Sequence, residues 1–230
     1  MKKYLVIGNP IEHSLSPQLH NYWFKQNNID AVYEKKQINE SDIKEIIAQV
    51  RSGEIEGINV TVPFKKSVIP FLDEHEVSRK VPSVNTIYKK KDKIIGTNTD
   101  IHGFKLALLQ TKYNFKGRKI LILGAGGVTP SIIFALEGLG PAVIMLSNRT
   151  KERAEKLKKL FPQLELVKWG EIKDFDVIIN ATSIGLKQGD KIPINYNLID
   201  SGKFFYDVIY NPKKTNFLSE AEKRGHKIEN

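Results

Sequence analysis

Lys119-Ile120-Leu121-Ile122-Leu123-Gly124-Ala125-Gly126-Gly127 decides the fold. The apolar run shows no alternation, as expected for a strand of a parallel sheet covered on both faces. The glycines that follow let the backbone turn tightly into a helix, whose free N–H groups make a natural seat for an anionic phosphate. Downstream the pattern repeats, with a helix expected over 130–139, a strand over 142–146, a helix over 151–160 and strands over 176–180 and 204–208. Strand and helix alternating after a glycine turn describe a doubly wound nucleotide-binding unit.

The turn offers Gly124, Ala125, Gly126, Gly127 and Val128 to a pyrophosphate. Its G-x-G-x-x-G pattern is incomplete, because Thr129 stands at the third glycine position and Gly127 substitutes for it only in part. The end of the second strand separates the two dinucleotides. NAD-specific folds place an acid there for the ribose 2′-hydroxyl. This chain has Ser147-Asn148-Arg149-Thr150, with Arg153 one turn on and no carboxylate. Arginine pairs bidentately with phosphate where an acid would repel it, so NADP is the expected cofactor, held by Asn148, Arg149, Thr150 and Arg153. The bland alternative makes both arginines surface residues of a helix start.

Upstream, strands are expected over 3–7, 33–37 and 58–62, with helices over 18–26 and from Ser41 as N-cap to about Arg51. Residues 67–71 and the polar stretch to Val81 read as helical, 83–88 and 94–96 as a β-hairpin, and Asp100 as the opening of a helix to Leu109. The expected organisation is therefore an α/β unit over 1–101 and a doubly wound unit over 102–230, with a cleft between them. Lys65 lies just past the third strand and Asp100 just past the hairpin, at the strand ends where α/β sheets place ligands. Together they suit an alcohol–ketone redox step, in which a hydride moves to carbon and a proton to oxygen.

Composition limits the alternatives. With 230 residues, 40% of them hydrophobic, the chain can bury cores for two small domains. It has no cysteine, which removes disulfides, thiolate metal sites and thiol nucleophiles. His13 and His20 have no third ligand at metal spacing, so no metal is expected. Trp23 and Trp169 read as packing residues. The formal charge of +10 favours anionic ligands. Its densest block, Lys89-Lys90-Lys91-Asp92-Lys93, reads as a solvated hairpin tip and not as a nucleic-acid arm. No apolar run reaches the roughly 18 residues a membrane span requires, which points to a cytoplasmic chain.

Six segments resemble the shikimate dehydrogenases in order and spacing: residues 8–17 (GNPIEHSLSP), 57–65 (GINVTVPFK), 84–86 (VNT), 96–100 (GTNTD), 148–150 (NRT) and 180–183 (NATS). The resemblance covers essentially the whole chain. It implies an N-terminal α/β substrate-binding domain and a Rossmann-type NADP-binding domain, and the NADPH-dependent reduction of 3-dehydroshikimate to shikimate in aromatic amino-acid biosynthesis. It implies Ser14 and Ser16 for the substrate carboxylate, and Thr61, Lys65, Asn85, Asp100 and Tyr210 for the rest of the substrate. It further implies Lys65 as principal acid/base with Asp100 its partner, Val208 against the nicotinamide and Glu76 in touch with the cofactor. Asn59 and Thr86 read as scaffold. The chain departs from the pattern at Pro82-Ser83, at Thr129-Pro130-Ser131 and at its end. The family continues past Gly225 with a further helix carrying a substrate-contacting Gln, and this sequence is expected to lack it. A quinate/shikimate dehydrogenase and a non-catalytic NADP-binding sensor stand as alternatives. The expected partner is a small molecule, with no nucleic acid or membrane, and the expected assembly is a monomer or homodimer.

Overall fold

The computed structural model describes residues 1–230 apart from Val77, Arg79 and Gln188. It divides into two compact units, Met1–His102 and Gly103–Asn230.

In the first unit β1 (Lys2–Gly8), α1 (Ser16–Gln26), β2 (Ala31–Gln37), α2 (Ile43–Ser52) and β3 (Gly57–Val60) alternate, followed by β4 (Glu74–His75), β5 (Thr86–Lys90) and β6 (Lys93–Thr97). They form one six-stranded sheet ordered β2-β1-β3-β5-β6-β4. Strand periodicity sorts the core: Leu5 and Ile7 join Ile43, Ile46, Ile47 and Val50 of α2 on one face. Val6 packs with Tyr33 and Phe24 of α1 on the other. Burying each such aliphatic side chain contributes about 1.5–3 kcal/mol.

Two expectations need correction here. Ser41 does not cap α2; a 3-10 turn over Glu40–Asp42 precedes it, and the Asp42 carboxylate accepts from the Asn39 backbone N–H at 2.8 Å. The helix expected from 67 to 81 is absent. Turns lead to a 3-10 turn over Ile69–Phe71, then to β4, which pairs in parallel with β6. Pro70 removes one backbone donor from any helix there, and Asp73 accepts from the Ile94 N–H at 2.7 Å, drawing the segment onto the sheet. The end of that expected helix crosses Val77 and Arg79, outside the described residues. Trp23, 47% exposed on α1, packs edge-on against His20 at 5.5 Å, and Trp169 packs on the core of the second unit.

α3 (Thr99–Gln110) leads into the second unit: β7 (Lys119–Leu123), α4 (Thr129–Glu137), β8 (Val143–Ser147), α5 (Lys151–Leu160), β9 (Glu165–Val167), β10 (Val177–Asn180), β11 (Phe204–Asp207), α6 (Asn216–Glu222) and β12 (Lys227–Glu229). All six strands are parallel, ordered β12-β11-β10-β7-β8-β9. Chain order reverses between β7 and β10, the switch point at which doubly wound sheets bind ligands. Ile120, Leu121, Ile122 and Leu123 are all buried, as the unbroken apolar run requires. No helix among the described residues is long and apolar enough to cross a membrane.

Candidate active site

Sheet topology in the first unit gathers the expected substrate residues at one end. β1 and β3 are parallel and β5 is antiparallel to both β3 and β6, so Gly8, Val60, Thr86 and Thr97 all face the same edge. The loops leaving that edge carry Ser14, Ser16, Thr61, Lys65, Asn85 and Asp100. Gly8 is obligatory there, because a Cβ would stand 2.6 Å from the Thr61 methyl. Ser14 and Ser16 are half-buried, and the Ser14 hydroxyl accepts from the Ser16 N–H at 3.4 Å where α1 begins. Thr61 is half-buried, its N–H donating to the Ile7 carbonyl at 2.9 Å.

Lys65 follows the turn closed by the Phe64 N–H on the Thr61 carbonyl. Its Nζ donates to Asp100 Oδ2 at 2.7 Å, and the two side chains are 18% and 26% exposed. Asn85 Nδ2 donates to the other carboxylate oxygen, Oδ1, also at 2.7 Å. Asp100 lies in the first turn of α3, where the helix dipole favours a negative charge. Asn98 caps that turn, its Oδ1 accepting from the Asp100 N–H at 2.9 Å and the Ile101 N–H at 3.3 Å. The carboxylate is thus bonded on both oxygens and oriented from two directions, which leaves the ammonium with further N–H donors for a substrate oxygen. The structure brings Lys65, Asn85 and Asp100 together. Glu76 is exposed and already engaged, accepting from the Tyr88 hydroxyl at 3.0 Å with Lys90 at 4.0 Å.

In the second unit the glycine turn leaves the C-terminal end of β7. Gly124 has φ +108°, and a Cβ on it would meet the Ala181 carbonyl oxygen at 2.8 Å. Gly126 has only an ordinary neighbour at 3.8 Å and Gly127 nothing within 4 Å, so neither is glycine for packing reasons; both leave backbone open to an approaching phosphate. Thr129 takes up the work of the third glycine. Fully buried, its hydroxyl accepts from the Gly126 N–H at 3.1 Å and donates to the Gly124 carbonyl at 3.0 Å. Ala125 donates to Asn148 Oδ1 at 2.9 Å, tying this turn to the end of β8. Arg149, Thr150 and Arg153 are exposed, and among the described residues no acid lies within ion-pair distance of either arginine. A bare glycine turn beside two unneutralised guanidiniums fits a dinucleotide that carries an additional phosphate.

The ends of β10 and β11 complete this edge. Asp207 is fully buried. Burial pushes its carboxyl up, opposed by donors from Thr215, Ile209 and Asn180. The Thr215 hydroxyl donates to Oδ2 at 2.6 Å, while the Ile209 N–H and Asn180 Nδ2 donate to Oδ1 at 3.0 Å each. This network fixes half-buried Val208, whose N–H donates to the Asn180 carbonyl at 3.1 Å. Val208 stands just past β11 and does not end it. Tyr210 is 70% exposed. Among the described residues, no group of three His, Cys, Asp or Glu side chains stands at metal-binding range.

Sequence reading missed Asn98, Thr129 and Asp207. Asn98 was findable as an N-cap residue ahead of a helix. Thr129 reads as a defect until its hydroxyl is seen, and an acid inside the apolar run Phe204–Ile209 was the one clue to Asp207.

Comparison with known proteins agrees with this division. The family model described as the shikimate dehydrogenase substrate binding domain matches residues 6–87. The one described as shikimate / quinate 5-dehydrogenase matches residues 105–187. A shikimate dehydrogenase (NADP(+)) of Pelagibacter ubique is 59% identical over 225 residues, spanning 97% of this chain and 85% of that protein. The crystal structure of shikimate dehydrogenase from Aquifex aeolicus superposes with a TM-score of 0.91 at 40% identity, covering 99% of this chain and 85% of that one. The Thermus thermophilus shikimate 5-dehydrogenase, solved in complex with NADP(H) and shikimate, gives 0.90 at 30% identity over 100% and 87%. Likeness of this extent, running through both units in order, is shared descent, and the chain belongs to the shikimate dehydrogenase family.

Proposed function

We propose that this protein catalyses the reversible, NADPH-dependent reduction of 3-dehydroshikimate to shikimate, a step of aromatic amino-acid biosynthesis. The observation that carries the reading is the Lys65–Asp100 pair, locked at 2.7 Å at the loop end of the first unit's sheet. When bound, NADPH supplies the hydride that reduces the ketone carbon. Lys65 Nζ donates to the ketone oxygen and gives up a proton as negative charge develops there; in the reverse direction it accepts that proton. Asp100 steadies the ammonium and sets its direction. Ser14 and Ser16 offer two hydroxyl donors to the substrate carboxylate, and Thr61, Asn85 and Tyr210 are assigned to its ring hydroxyls. Gly124, Ala125, Gly126, Gly127 and Val128 would hold the pyrophosphate, Asn148, Arg149, Thr150 and Arg153 the 2′-phosphate, and Val208 one face of the nicotinamide, with Glu76 touching the cofactor.

Shikimate and NADP added to the purified protein should produce the absorbance of the reduced nicotinamide, and no rise at any substrate concentration would reject the activity. Arg149, standing where an NAD enzyme carries an acid, favours NADP over the NAD-accepting quinate/shikimate reading. The ratio of kcat/KM for NADP and NAD, with shikimate and quinate each tried, separates the two. A pure sensor has no use for a Lys–Asp pair. We place the protein in the cytoplasm, as a monomer or homodimer whose partners are its two small molecules.

A further inference from the structure

We propose that Tyr33, Asn59 and Thr86 are positioning residues: a run of hydrogen bonds with every donor pointing the same way fixes the Asn85 amide and, through it, the Asp100 carboxylate that holds Lys65. The inference rests on the acid/base reading of Lys65 and Asp100 given above.

The direction of each bond follows from partners that admit only one role. Asn85 Nδ2 lies 2.7 Å from a carboxylate oxygen, which can only accept, and Asn85 Oδ1 lies 2.9 Å from the Thr99 N–H, which can only donate. Its amide is therefore oriented unambiguously. The Thr86 hydroxyl, 3.0 Å from that same Oδ1, must donate to it. Its lone pair is then free to accept from Asn59 Nδ2 at 3.0 Å. Asn59 cannot be flipped either, because Nδ2 also lies 3.2 Å from the Asn85 backbone carbonyl. Its Oδ1 then accepts from the Tyr33 hydroxyl at 2.6 Å. Four side-chain bonds thus run Tyr33 to Asn59 to Thr86 to Asn85 to Asp100, each polarising the next toward the negative charge.

The far end is well anchored. Tyr33 is 4% exposed, and Asn21 of α1 brackets its backbone with bonds of 2.8 and 2.9 Å. His20 stacks on the ring at 4.2 Å. With its oxygen and its nitrogen both held by protein partners, Asn85 orients Asp100 in addition to its assigned place at the ring hydroxyls. Asn59 and Thr86 accordingly do more than hold loops.

The test uses Thr86→Val, which deletes the hydroxyl at nearly constant shape, Asn59→Asp, which replaces a donor by an acceptor, and Thr86→Ser as the rescue. Loss or reversal of one link should lower kcat for shikimate oxidation about tenfold, the scale of one hydrogen bond. The KM for NADP should stay unchanged, Thr86→Ser should return close to the wild-type rate, and Tyr33→Phe should give a smaller loss. The side-chain amide resonances of Asn85 should move in all three link-breaking variants. Wild-type kcat and unmoved Asn85 resonances in folded Thr86→Val overturn the proposal. If that variant does not fold, the same result in Tyr33→Phe does so. Lys65→Met is run beside them. Should it keep full turnover, the acid/base reading fails, while the Asn85 resonances, which need no turnover, still decide whether the relay exists.

Discussion

An ammonium held on a half-buried carboxylate is more than a surface ion pair, because both groups have given up part of their hydration and are pinned in direction. The chemical consequence is specific to Lys65. Replacing it with Met keeps the stem and removes the proton, so turnover should fall by about 10²–10⁴-fold, the range for a positioned general acid. Affinity for NADP, measured by fluorescence titration, should hardly change; retained turnover would assign the proton elsewhere. The cofactor side has a comparable test in Arg149, which is exposed and pairs with no acid among the described residues. Arg149→Gln should raise the KM for NADP by about tenfold, since a solvent-exposed charge-assisted bond is worth little more than that, and should leave the KM for NAD where it was. Equal shifts for both dinucleotides would place Arg149 away from the 2′-phosphate. At this scale the sequence was informative for residues whose type is demanded by chemistry. It was silent on those, such as Asp207 and Tyr33, whose contribution is a hydrogen bond to a group far away in the chain; Asn180 stands 27 residues from Asp207, and Tyr33 and Asn59 stand 26 apart.

Elements were legible where one interaction dominates. The strand, glycine turn and helix from Lys119 onward follow from apolar burial and the need for positive φ at Gly124. The stretch from 67 to 81 was misread because its helical propensity loses to sheet pairing at Glu74–His75, and neither α6 nor β12 was anticipated, both being short and formed by packing on β11. The glycine turn gives a prediction with two arms. Gly124→Ala meets both a forbidden φ and a carbonyl at 2.8 Å, and should cost about 2–4 kcal/mol of stability. Gly126→Ala has no close neighbour and should keep the melting temperature while raising the KM for NADP, because on the proposed assignment the new methyl would face the phosphate. A Gly126→Ala protein with normal NADP binding would remove the pyrophosphate from this turn. β12 supplies another test through His226, buried just before it with neither ring nitrogen hydrogen-bonded among the described residues and stacked on Phe205 at 4.8 Å. Burial, with Arg224 and Lys203 nearby, holds its pKa below the ordinary 6.5. The unfolded chain therefore binds the proton first, and stability should fall as the pH drops below 6.5. His226→Leu should raise the melting temperature at pH 5.5 more than at pH 8; equal shifts at both would mean the ring does not titrate in this window.

For the whole molecule the decisive quantity is charge, +10 over 230 residues. Much of the lysine excess is locally answered: Lys93 pairs with Glu74, Lys90 with Glu76, and both Lys119 and Lys203 with Asp174. The hairpin block expected to be a solvated tip is of this kind, with Lys91 and Asp92 forming the turn between β5 and β6. Arg149, just past β8, and Arg153, in the first turn of α5, are the contrast: among the described residues no acid pairs with either. A positive molecule steers every anion, but the pull scales with the ligand's charge and with what it meets on arrival. NADP carries several negative charges and, on the proposed assignment, meets guanidiniums, whereas shikimate carries one and would meet the hydroxyls of Ser14 and Ser16. Raising salt from about 0.05 to 0.5 M shortens the screening length from roughly 14 to 4 Å. It should therefore depress kcat/KM for NADP several-fold and kcat/KM for shikimate much less, with Arg149→Gln flattening the NADP response alone. Equal salt slopes for the two ligands would mean that the field of the whole protein, and not the pair of arginines, recruits the cofactor. Retention on DNA that survived moderate salt would reassign the excess charge to nucleic acid, since a handful of phosphate contacts loses about 10³–10⁵ in affinity over a comparable range.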